Sequence, residues 1–413
     1  MAGLVGITTL VGMTSFKPNN NTPLVTQLTD HSVRLRWTKG HGQSHTYIVM
    51  KEGSAPTSSS DGVMVYNDQG TTVDIYHLDV GDTYYFGLYG NTPSFSLSTE
   101  NTVTTPETPL KVSATEQYIF VALKDGGGVQ VRKRSAPGTL VETIKPTNVS
   151  TNAVFGIHAR GNLLTFTAGT YMWIYEYVND GDSTQLLEAE VGGVTQSGSH
   201  IDAELEYAYT GQANGNIVYY DIATLTKRTM SGVATASNTI RDIDTRGDQL
   251  IVCSNDDKLY DVDRSNRTSM TSRATVATFG GNVEISRLDD NYIYVGSDDS
   301  EVEIRNRTTP YAIQETLTGS SNDITGIVAK DEDYLAVASD DTEIQFYDVN
   351  DSYNIEATIN KTHGIEGIDM SDGELYYSGG AEGTPATTFY YRNYYSNSIS
   401  GLYVGGSLLI SDI

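Results

Sequence analysis

One phrase recurs three times between residues 240 and 377, and it constrains the fold more than any other feature of the chain. It combines an apolar strand start, a polar turn, an apolar strand that ends in Ser-Asp-Asp or Ser-Asn-Asp-Asp, and an alternating strand. The copies begin at Ile240, Val283 and Ile324, with a fainter fourth copy at Ile365. The starts at 283, 324 and 365 are about 41 residues apart, which is the period of a four-stranded propeller blade.

Seven units of this size fill residues 107–413 and predict a seven-bladed β-propeller. Approximate starts lie at residues 110, 154, 201, 240, 283, 324 and 365. The first strand of each unit is expected to line the central channel, and the next three to step outward. The tail from 398 to 413 reads as one or two further strands. We expect this tail to close the ring by pairing with the first blade; an eighth unit is the alternative.

The third strand of three units ends in Tyr-Asp, at Tyr220-Asp221, Tyr260-Asp261 and Tyr347-Asp348. This position matches the Trp-Asp dipeptide of the WD-repeat family, which the region resembles. The chain departs from that family because it lacks the Gly-His pair and the repeated tryptophans. The resemblance implies a propeller that presents surface and loops to partners.

Residues 21–106 predict a small β-sandwich, because short alternating strands follow one another between turn residues. Val33, Leu35 and Trp37 fall on one face of the second strand. Trp37 and the segment LDVGDTYYF (78–86) resemble the fibronectin type III family, whose tyrosine corner ties a strand start to the preceding loop. The predicted fold class is therefore all-β, with an immunoglobulin-like (fibronectin type III) sandwich followed by the propeller.

The middle of this sandwich resembles the fibronectin-type variant common in structural proteins of tailed viruses. The matching phrase is Pro-Thr followed by Asp-Gly-x-x-Val-Tyr, at Pro56, Thr57, Asp61, Gly62, Val65 and Tyr66. Bacterial surface proteins carry the same variant. The resemblance implies a virion component, with a cellular adhesin or scaffold as the alternative.

Two segments flank the sandwich. Residues 1–20 alternate apolar side chains from Leu4 to Phe16, and are read either as a frayed terminus or as a docking strand for assembly. The segment TVTTPETPL (102–110) reads as a short, stiff Thr/Pro hinge. The start of the chain has no basic region before its apolar stretch, so we expect neither a signal peptide nor a membrane span.

The charge balance argues against two partner classes. The chain has 26 basic and 52 acidic residues, a net charge of −26 and a pI near 4.5. Such a field repels phosphate backbones and anionic headgroups, so neither nucleic acid nor a membrane is expected as a partner. An acidic surface that stays hydrated in high salt is compatible with a halophilic source. The single cysteine, Cys253, excludes an intrachain disulfide.

The Asp pairs are the first candidate site. They occupy the same predicted turn in consecutive blades, so they would form an acidic arc on one face: Asp256, Asp257, Asp298, Asp299, Asp340 and Asp341. Asp is also a good turn former, so these turns are read either as structure alone or as a rim that binds a basic partner or cations. Catalysis is disfavoured because three repeated, solvated turns offer the same environment each time.

Two other clusters are candidates. Calcium is the metal to test, since it takes clustered carboxylates, although no known loop spacing is reproduced; the carboxylates are Asp180, Asp182, Asp289 and Asp290. An aromatic run around one arginine is either strand packing or a stacking platform for a sugar or a protein. Its members are Tyr390, Tyr391, Arg392, Tyr394 and Tyr395.

No nucleophile, phosphate-loop or dinucleotide motif is present, and no cofactor is predicted. The first strands of the blades show no repeated inward carboxylate, His or Arg constellation, which argues against a third reading, a polysaccharide-active enzyme. The favoured function is a non-enzymatic virion protein at the particle surface, whose N-terminal part docks and whose propeller faces outward. Its expected partners are other virion proteins, further copies of itself, and a host-surface glycan or protein. An extracellular or cell-surface location is the alternative.

Overall fold

The structure is a computed structural model, and almost all its regular elements are strands. It describes residues 24–29, 31–37, 45–68, 70–79, 82–91, 97–98, 100–124, 126–149, 153–177, 183–192, 198–234, 238–320, 322–329, 334–340, 343–349, 352–361, 364–371, 374–379, 388–393 and 404–409. Within these ranges a single 3-10 turn, Thr147–Val149, is the one helical element. No helix of the described residues is long and apolar enough to span a membrane. The predicted docking segment, 1–20, lies outside them.

The strands follow the chain in three groups. The first is β1 (Leu24–Thr29), β2 (Ser32–Arg36), β3 (His45–Glu52), β4 (Val63–Asp68), β5 (Thr72–Ile75), β6 (Thr83–Asn91) and β7 (Asn101–Thr104). The second is β8 (Pro109–Ala114), β9 (Tyr118–Leu123), β10 (Val129–Lys133), β11 (Ala136–Ile144), β12 (Val154–Arg160), β13 (Leu163–Ala168), β14 (Tyr171–Tyr177), β15 (Ser183–Glu190), β16 (Ser199–Ile201), β17 (Tyr207–Gly211), β18 (Ile217–Asp221), β19 (Thr226–Met230), β20 (Ile240–Arg246), β21 (Gln249–Ser254), β22 (Lys258–Asp263), β23 (Thr271–Thr278), β24 (Val283–Leu288), β25 (Tyr292–Ser297), β26 (Val302–Asn306), β27 (Ile313–Leu317), β28 (Ile324–Val328), β29 (Tyr334–Ser339), β30 (Glu343–Asp348) and β31 (Asn354–Asn360). The third is β32 (Ile365–Ser371), β33 (Glu374–Gly379), β34 (Thr388–Asn393) and β35 (Val404–Leu409).

Seven four-stranded antiparallel sheets of the described residues form a propeller-like ring. Blades 1 to 6 are successive groups of four strands from β8 to β31, and blade 7 has the order β32-β33-β34-β7. The innermost strands contact one another in turn around the ring, and β32 returns to β8. The second strands β9, β13, β21 and β29 are buried along their whole length. Neighbouring blades cover both sides of these strands. Their sequences are therefore continuous apolar runs, such as YIFVAL, rather than alternating apolar and polar residues.

Blade 7 is closed from the N-terminal side. Strand β7 pairs antiparallel with β34, placing Val103 opposite Phe389, and supplies the outermost strand of the blade. The predicted hinge 102–110 therefore contains a blade strand and the start of β8. The expectation that the C-terminal tail closes the ring against the first blade is wrong, because a different strand occupies the closing position and the tail pairs elsewhere.

The C-terminal strand instead returns to the N-terminal domain. Strand β35 pairs antiparallel with β6, so that Val404 lies opposite Leu88 and Leu409 opposite Thr83. The resulting sheet has the order β35-β6-β3-β4, and a second sheet has the order β1-β2-β5. The two sheets share one hydrophobic core, which includes Leu35 and Phe86. We call this two-sheet unit the small domain.

One buried loop fastens the small domain to the propeller. His77, in the loop after β5, is 1% exposed and lies edge-on to Tyr118 of blade 1, with ring centroids 5.1 Å apart. Its Nε2 is 2.5 Å from the carbonyl oxygen of Gly161, in the turn between β12 and β13. The Gln117 amide, in the turn between β8 and β9, donates to the Tyr76 carbonyl oxygen at 3.4 Å. We call the propeller face that carries these first turns the proximal face, and the opposite face the distal face.

We expect Gly161→Ala to loosen the small domain. Gly161 has φ +56°, and a Cβ there would lie 2.9 Å from Leu205 Cδ1 and 3.3 Å from the Tyr76 ring. Gly247 holds the equivalent turn of blade 4 with φ +57°, but no atom lies within 4 Å of its Cβ position. Both substitutions carry the left-handed backbone cost, about 1–2 kcal/mol.

Gly247→Ala is therefore a matched control for backbone strain. Hydrogen exchange of residues 72–79, measured by mass spectrometry, should rise in the Gly161 variant and stay unchanged in the Gly247 variant. Equal exchange in both variants would mean that the small domain does not rest on this turn.

Candidate functional site

The Ser-Asp-Asp turns connect the second and third strands of blades 4, 5 and 6. Because the small domain meets the turns between first and second strands, these Asp turns belong to the distal face. Asp299 and Asp340 are exposed, whereas Asp257 is half-buried. Asp257 has φ 62°, a conformation that Asp tolerates better than most residues. Asp341 lies outside the described residues.

The Asp pairs are offset by one residue between blades. Ser254 and Ser339 are the last residues of their second strands, so Asn255 rather than Asp256 is equivalent to Asp340. Asn255 and Asp340 donate equivalent backbone hydrogen bonds to the preceding connection, at 3.0 Å each. The Asp256 side chain is only 6% exposed and accepts a 2.5 Å hydrogen bond from Tyr260 Oη. Asp256 therefore faces inward, and the arc is less uniform than the sequence phrase indicates.

Asp298 and Asp299 pack on the connection that enters their own blade, whereas Asp340 packs on the connection that enters the next blade. Asp298 accepts a hydrogen bond from Asn282 Nδ2 at 2.7 Å. No Cβ fits at Gly281 or Gly364, because the carboxylates of Asp298 and Asp340 occupy those positions. The carboxylates of Asp298, Asp299 and Asp340 are therefore packed against neighbouring connections. We call the carboxylates of these distal-face turns the acidic patch (Asp257, Asp298, Asp299 and Asp340).

The aromatic candidates are packing residues of blade 7. Tyr390 is half-buried and stacks on Tyr377 with ring centroids 5.2 Å apart, while Lys361 Nζ lies 3.9 Å above the Tyr390 ring. Tyr391 points to the other side of β34 and stacks on Tyr376 at 6.5 Å. This placement matches cross-strand packing rather than an open platform. Tyr394 and Tyr395 lie outside the described residues.

Arg392 belongs to an ion-pair cluster beside these tyrosines. Glu100, the residue before β7, accepts from Arg392 Nη2 at 3.2 Å and from Lys361 Nζ at 2.7 Å. The cluster therefore links the segment entering β7 to blades 6 and 7, and it supports the closure of the ring.

The described calcium candidates are occupied by turn and ion-pair contacts. Asp289 Oδ1 accepts the backbone N–H groups of Asn291 and Tyr292 at 2.7 and 2.6 Å, and Oδ2 accepts Tyr294 Oη at 2.6 Å. Asp290 pairs with Arg246 at 2.7 Å. Among the described residues no group of three or more His, Cys, Asp or Glu side chains is placed to hold a metal ion. Asp180 and Asp182 lie outside the described ranges.

A polar ring in the channel was missed by the sequence reasoning. Its members share one register position, because each of these inner-strand residues pairs with the third residue of the second strand; six are polar and one is apolar: Ser113, His158, His200, Asp244, Arg287, Val328 and Asp369. The expectation that the first strands hold no inward carboxylate, His or Arg constellation is therefore wrong. The signal was present in the repeated phrase, since Asp244 and Asp369 both follow Ile in Ile-x-x-Ile-Asp and His158 follows the Ile of Val-x-x-Ile-His.

The ring residues join one inner strand to the next. Ser113 Oγ accepts the Ala159 backbone N–H at 3.0 Å. His158 Nδ1 accepts from Ile201 at 3.0 Å, Asp244 Oδ2 from Leu288 at 2.6 Å, and Asp369 Oδ2 from Ala114 at 2.8 Å. The same side-chain position bonds the same backbone position of the following blade. These carboxylates are therefore engaged as interblade acceptors.

Burial and nearby charges shift pKa values in the ring and beside it. Burial raises the pKa of the Asp244 carboxyl, and the nearby Arg287 opposes that shift. Arg287 Nη1 also pairs at 2.5 Å with Asp242, which lies two residues before Asp244 on the same strand. Burial lowers the pKa of the Lys111 ammonium, which donates to the Glu366 carbonyl oxygen. The channel thus holds paired charges of both signs rather than a single-sign field.

Three arginines form a second set of contacts between neighbouring blades, and we call each of them a blade lock. Each lies directly after the third strand of its blade and reaches the preceding blade. Arg134 pairs with Glu374 of blade 7 at 2.6 Å, and Arg307 donates to the Arg246 carbonyl oxygen of blade 4 at 3.0 Å. Arg264, fully buried, pairs with Asp202 of blade 3 at 3.0 Å.

The position of Arg264 changes which residues of blade 4 are equivalent to the Tyr-Asp pairs of the other blades. Strand β22 ends at Asp263, directly before Arg264, so Val262-Asp263 is equivalent to Tyr347-Asp348 at the end of β30. Tyr260-Asp261 lies two residues earlier, and Asp261 is buried and accepts Tyr311 Oη at 2.6 Å.

Comparison with known proteins identifies the fold alone. The chain matches no protein-family model and no curated protein. Among solved structures it is similar to the WD40 β-propeller domain of Doa1, with a TM-score of 0.57 and 12% sequence identity. That match covers 73% of this chain and 97% of the Doa1 domain. At this identity the likeness shows a WD40-like propeller, and propellers serve many functions.

Proposed function

We propose that this protein is a non-enzymatic structural protein at the surface of a tailed virus particle. In this proposal the small domain faces the particle and the distal face of the propeller points outward. The observation that carries the proposal is the asymmetry of the ring: the small domain contacts the proximal face through His77, whereas the acidic patch lies on the distal face.

Local geometry of the small domain supports its fibronectin-type assignment. Tyr84 Oη accepts the Asp79 backbone N–H at 3.0 Å, the contact expected of a tyrosine corner. Trp37 is 7% exposed, and its indole N–H donates to Thr46 Oγ1 at 2.9 Å. Both features follow from the residues on which the resemblance rests.

The phrase typical of tailed-virus proteins has a physical role here. Asp61 Oδ2 accepts both the backbone N–H and the hydroxyl of Thr57 at 2.7 Å, and Oδ1 accepts from Lys51 at 2.6 Å. The Lys51 and Thr57 hydrogen bonds lower the pKa of Asp61 to about 2. Gly62, with φ 146°, approaches the Met50 carbonyl too closely for any Cβ. The phrase therefore encodes one rigid turn, which supports the assignment to this variant.

A binding role also agrees with the chemistry of the propeller. The channel carboxylates Asp244 and Asp369 accept interblade hydrogen bonds, and the acidic patch is held by turn contacts. A fixed anionic patch attracts a basic partner without any covalent step. Many copies on one particle would convert a weak contact into firm attachment.

Co-purification with particles tests this proposal. Virus particles from the source culture should be banded on a density gradient and their proteins identified by mass spectrometry, with an abundant host cytoplasmic protein as the contamination control. We expect the protein to follow the major capsid protein across the band. Recovery in the cell-envelope fraction, and absence from the banded particles, would contradict the proposal and favour a cellular adhesin.

A further inference from the structure

The cleft between the small domain and the propeller gathers positive charge in an acidic chain. Arg34 and Arg36 of β2 line one wall, and Arg160 at the end of β12 lines the other. The chain has 26 basic against 52 acidic residues, so three arginines around one cleft are a marked local reversal. The cleft volume is about 390 Å³. Small-molecule sites range over roughly 300–1,000 Å³, so a ligand of saccharide size fits.

One of the three arginines is already neutralised. Arg34 Nε and Nη2 each donate to an oxygen of Asp74 at 2.5 Å, a bidentate pair. The hydrogen bonds that Arg34 donates to Asp74 raise the pKa of Arg34. Two cationic side chains, Arg36 and Arg160, therefore face one further carboxylate of the lining, Glu116.

Arg160 is half-buried and forms no ion pair with the described residues. Its Nη1 donates to the Ile201 carbonyl oxygen at 3.2 Å, and none of its other N–H groups has a hydrogen-bond partner among the described residues. Burial lowers the pKa of the Arg160 guanidinium, and the carboxylates of Asp244, Asp202 and Glu204 oppose that shift. A carboxylate close to this group would compensate for the lost hydration.

Arg36 is the second open donor. It is exposed at the end of β2, and its side chain makes no hydrogen bond or ion pair with the described part of the chain. A guanidinium presents a planar fork of donors that matches the two oxygens of a carboxylate.

The other residues that line the cleft determine which anions it can bind. Tyr76 offers an aromatic wall, and Val73 and Leu205 add apolar surface. The Glu116 carboxylate repels the more highly charged inorganic phosphate more strongly than a single carboxylate, and it can accept from a hydroxyl group. A ligand with one carboxylate and several hydroxyl groups satisfies the arginines and Glu116 together.

We propose that this cleft binds a carboxylate-bearing saccharide, a hexuronic acid unit. Arg36 and Arg160 hold the carboxylate from opposite walls, Glu116 accepts from a ring hydroxyl, and Tyr76 lies against the sugar ring. Binding involves no covalent step. This inference does not rest on the proposed function, because it concerns the isolated chain and the proximal side of the ring, away from the acidic patch.

Isothermal titration calorimetry on the full chain tests the proposal. The probes are D-glucuronate and D-galacturonate, their neutral counterparts D-glucose and D-galactose, and inorganic phosphate, all at one ionic strength. We expect saturable binding of at least one uronate and no measurable binding of the neutral sugars or phosphate. Arg36→Gln and Arg160→Gln should each weaken uronate binding by about ten- to a hundredfold, the usual effect of losing a hydrogen bond to a charged group.

Arg228→Gln is the matched control, because Arg228 lies on β19, the outermost strand of blade 3, where it donates to the Thr268 carbonyl oxygen at 3.4 Å. Its affinity for uronate should equal that of the unmodified chain. Arg36 is exposed, so its variant is expected to fold, and an unchanged circular-dichroism spectrum checks this. Equal binding of uronates and neutral sugars, equal binding of phosphate, no uronate binding, or an Arg36 variant with unchanged affinity would each overturn the proposal.

Discussion

Arg264→Met should cost about 3–5 kcal/mol of unfolding free energy, the usual penalty for breaking a buried ion pair. The side chains of Arg264 and Asp202 are both 0% exposed, and their atoms are 3.0 Å apart. Arg264 also donates to Tyr209 Oη at 3.0 Å and to Glu204 at 2.6 Å. Removing the guanidinium leaves the Asp202 carboxylate buried without its cation. Guanidinium chloride denaturation followed by tryptophan fluorescence measures the loss.

Two further variants separate this effect from a general loss of charge. Arg267 is 23% exposed and lies 3.5 Å from Glu204 and Glu206, so Arg267→Met should cost no more than about 1 kcal/mol. The double variant Arg264→Met with Asp202→Leu should recover most of the stability, since both charges leave the interior together. If the Arg264 and Arg267 single variants were equally stable, the blade lock assigned to Arg264 would be wrong.

Val103→Asp should open blade 7. Val103 of β7 is 7% exposed and packs with Val112, Tyr376 and Phe389, so an aspartate there places a charge in an apolar core. An uncompensated buried charge costs about 3–5 kcal/mol. Hydrogen exchange should accelerate in β34, the strand that β7 covers, before it does so in the other blades.

Thr102→Asp is the matched control for this variant. Thr102 is the preceding residue of the same strand and is exposed, so the same substitution should change stability by no more than about 0.5 kcal/mol. Equal stability and equal exchange of β34 in the two variants would show that β7 does not close the ring.

The repeats were sufficient to predict the propeller architecture, for a physical reason. Each blade is packed on both sides, so its second strand must be apolar along its length, and the turn after it must be polar. Strands such as β21 and β29 therefore stand out, and their spacing reports the blade period. The hydrogen bond from the Asp79 backbone N–H to Tyr84 Oη could be anticipated in the same way, because the two residues are close in sequence.

The strand that closes the propeller ring could not be predicted from the local sequence pattern. Strand β7 is Asn-Thr-Val-Thr, in which Val103 alone is buried, so it resembles a linker more than a core strand. Its partner β34 is nearly three hundred residues away, and no local signal reports such a pairing. The partner of the C-terminal strand was equally hard to predict. Its sequence, VGGSLL, is compatible with pairing to the first blade or to the small domain, and in the folded chain it pairs with β6.

The candidate site was only partly predictable. The Asp turns were recognised because turn chemistry is local, but one inserted residue, Asn255, shifts Asp256 inward, where it meets Tyr260. The channel ring needs the strand register, because His158 and Asp244 act on backbone groups of the next blade. The uronate cleft needs both domains, since Arg36 and Arg160 meet only across the junction.

Labelling of intact particles tests whether the distal face of the propeller points outward on a virus particle. Antibody fragments selected against the distal-face turn around exposed Asp299 should be imaged on purified particles by electron microscopy, with Asp299→Lys particles as the epitope control. We expect regular labelling of unmodified particles at one structural position, and loss of label from the control. Particles that contain no copy of the protein, or copies that bind the fragment only after disruption of the particle, would contradict this expectation.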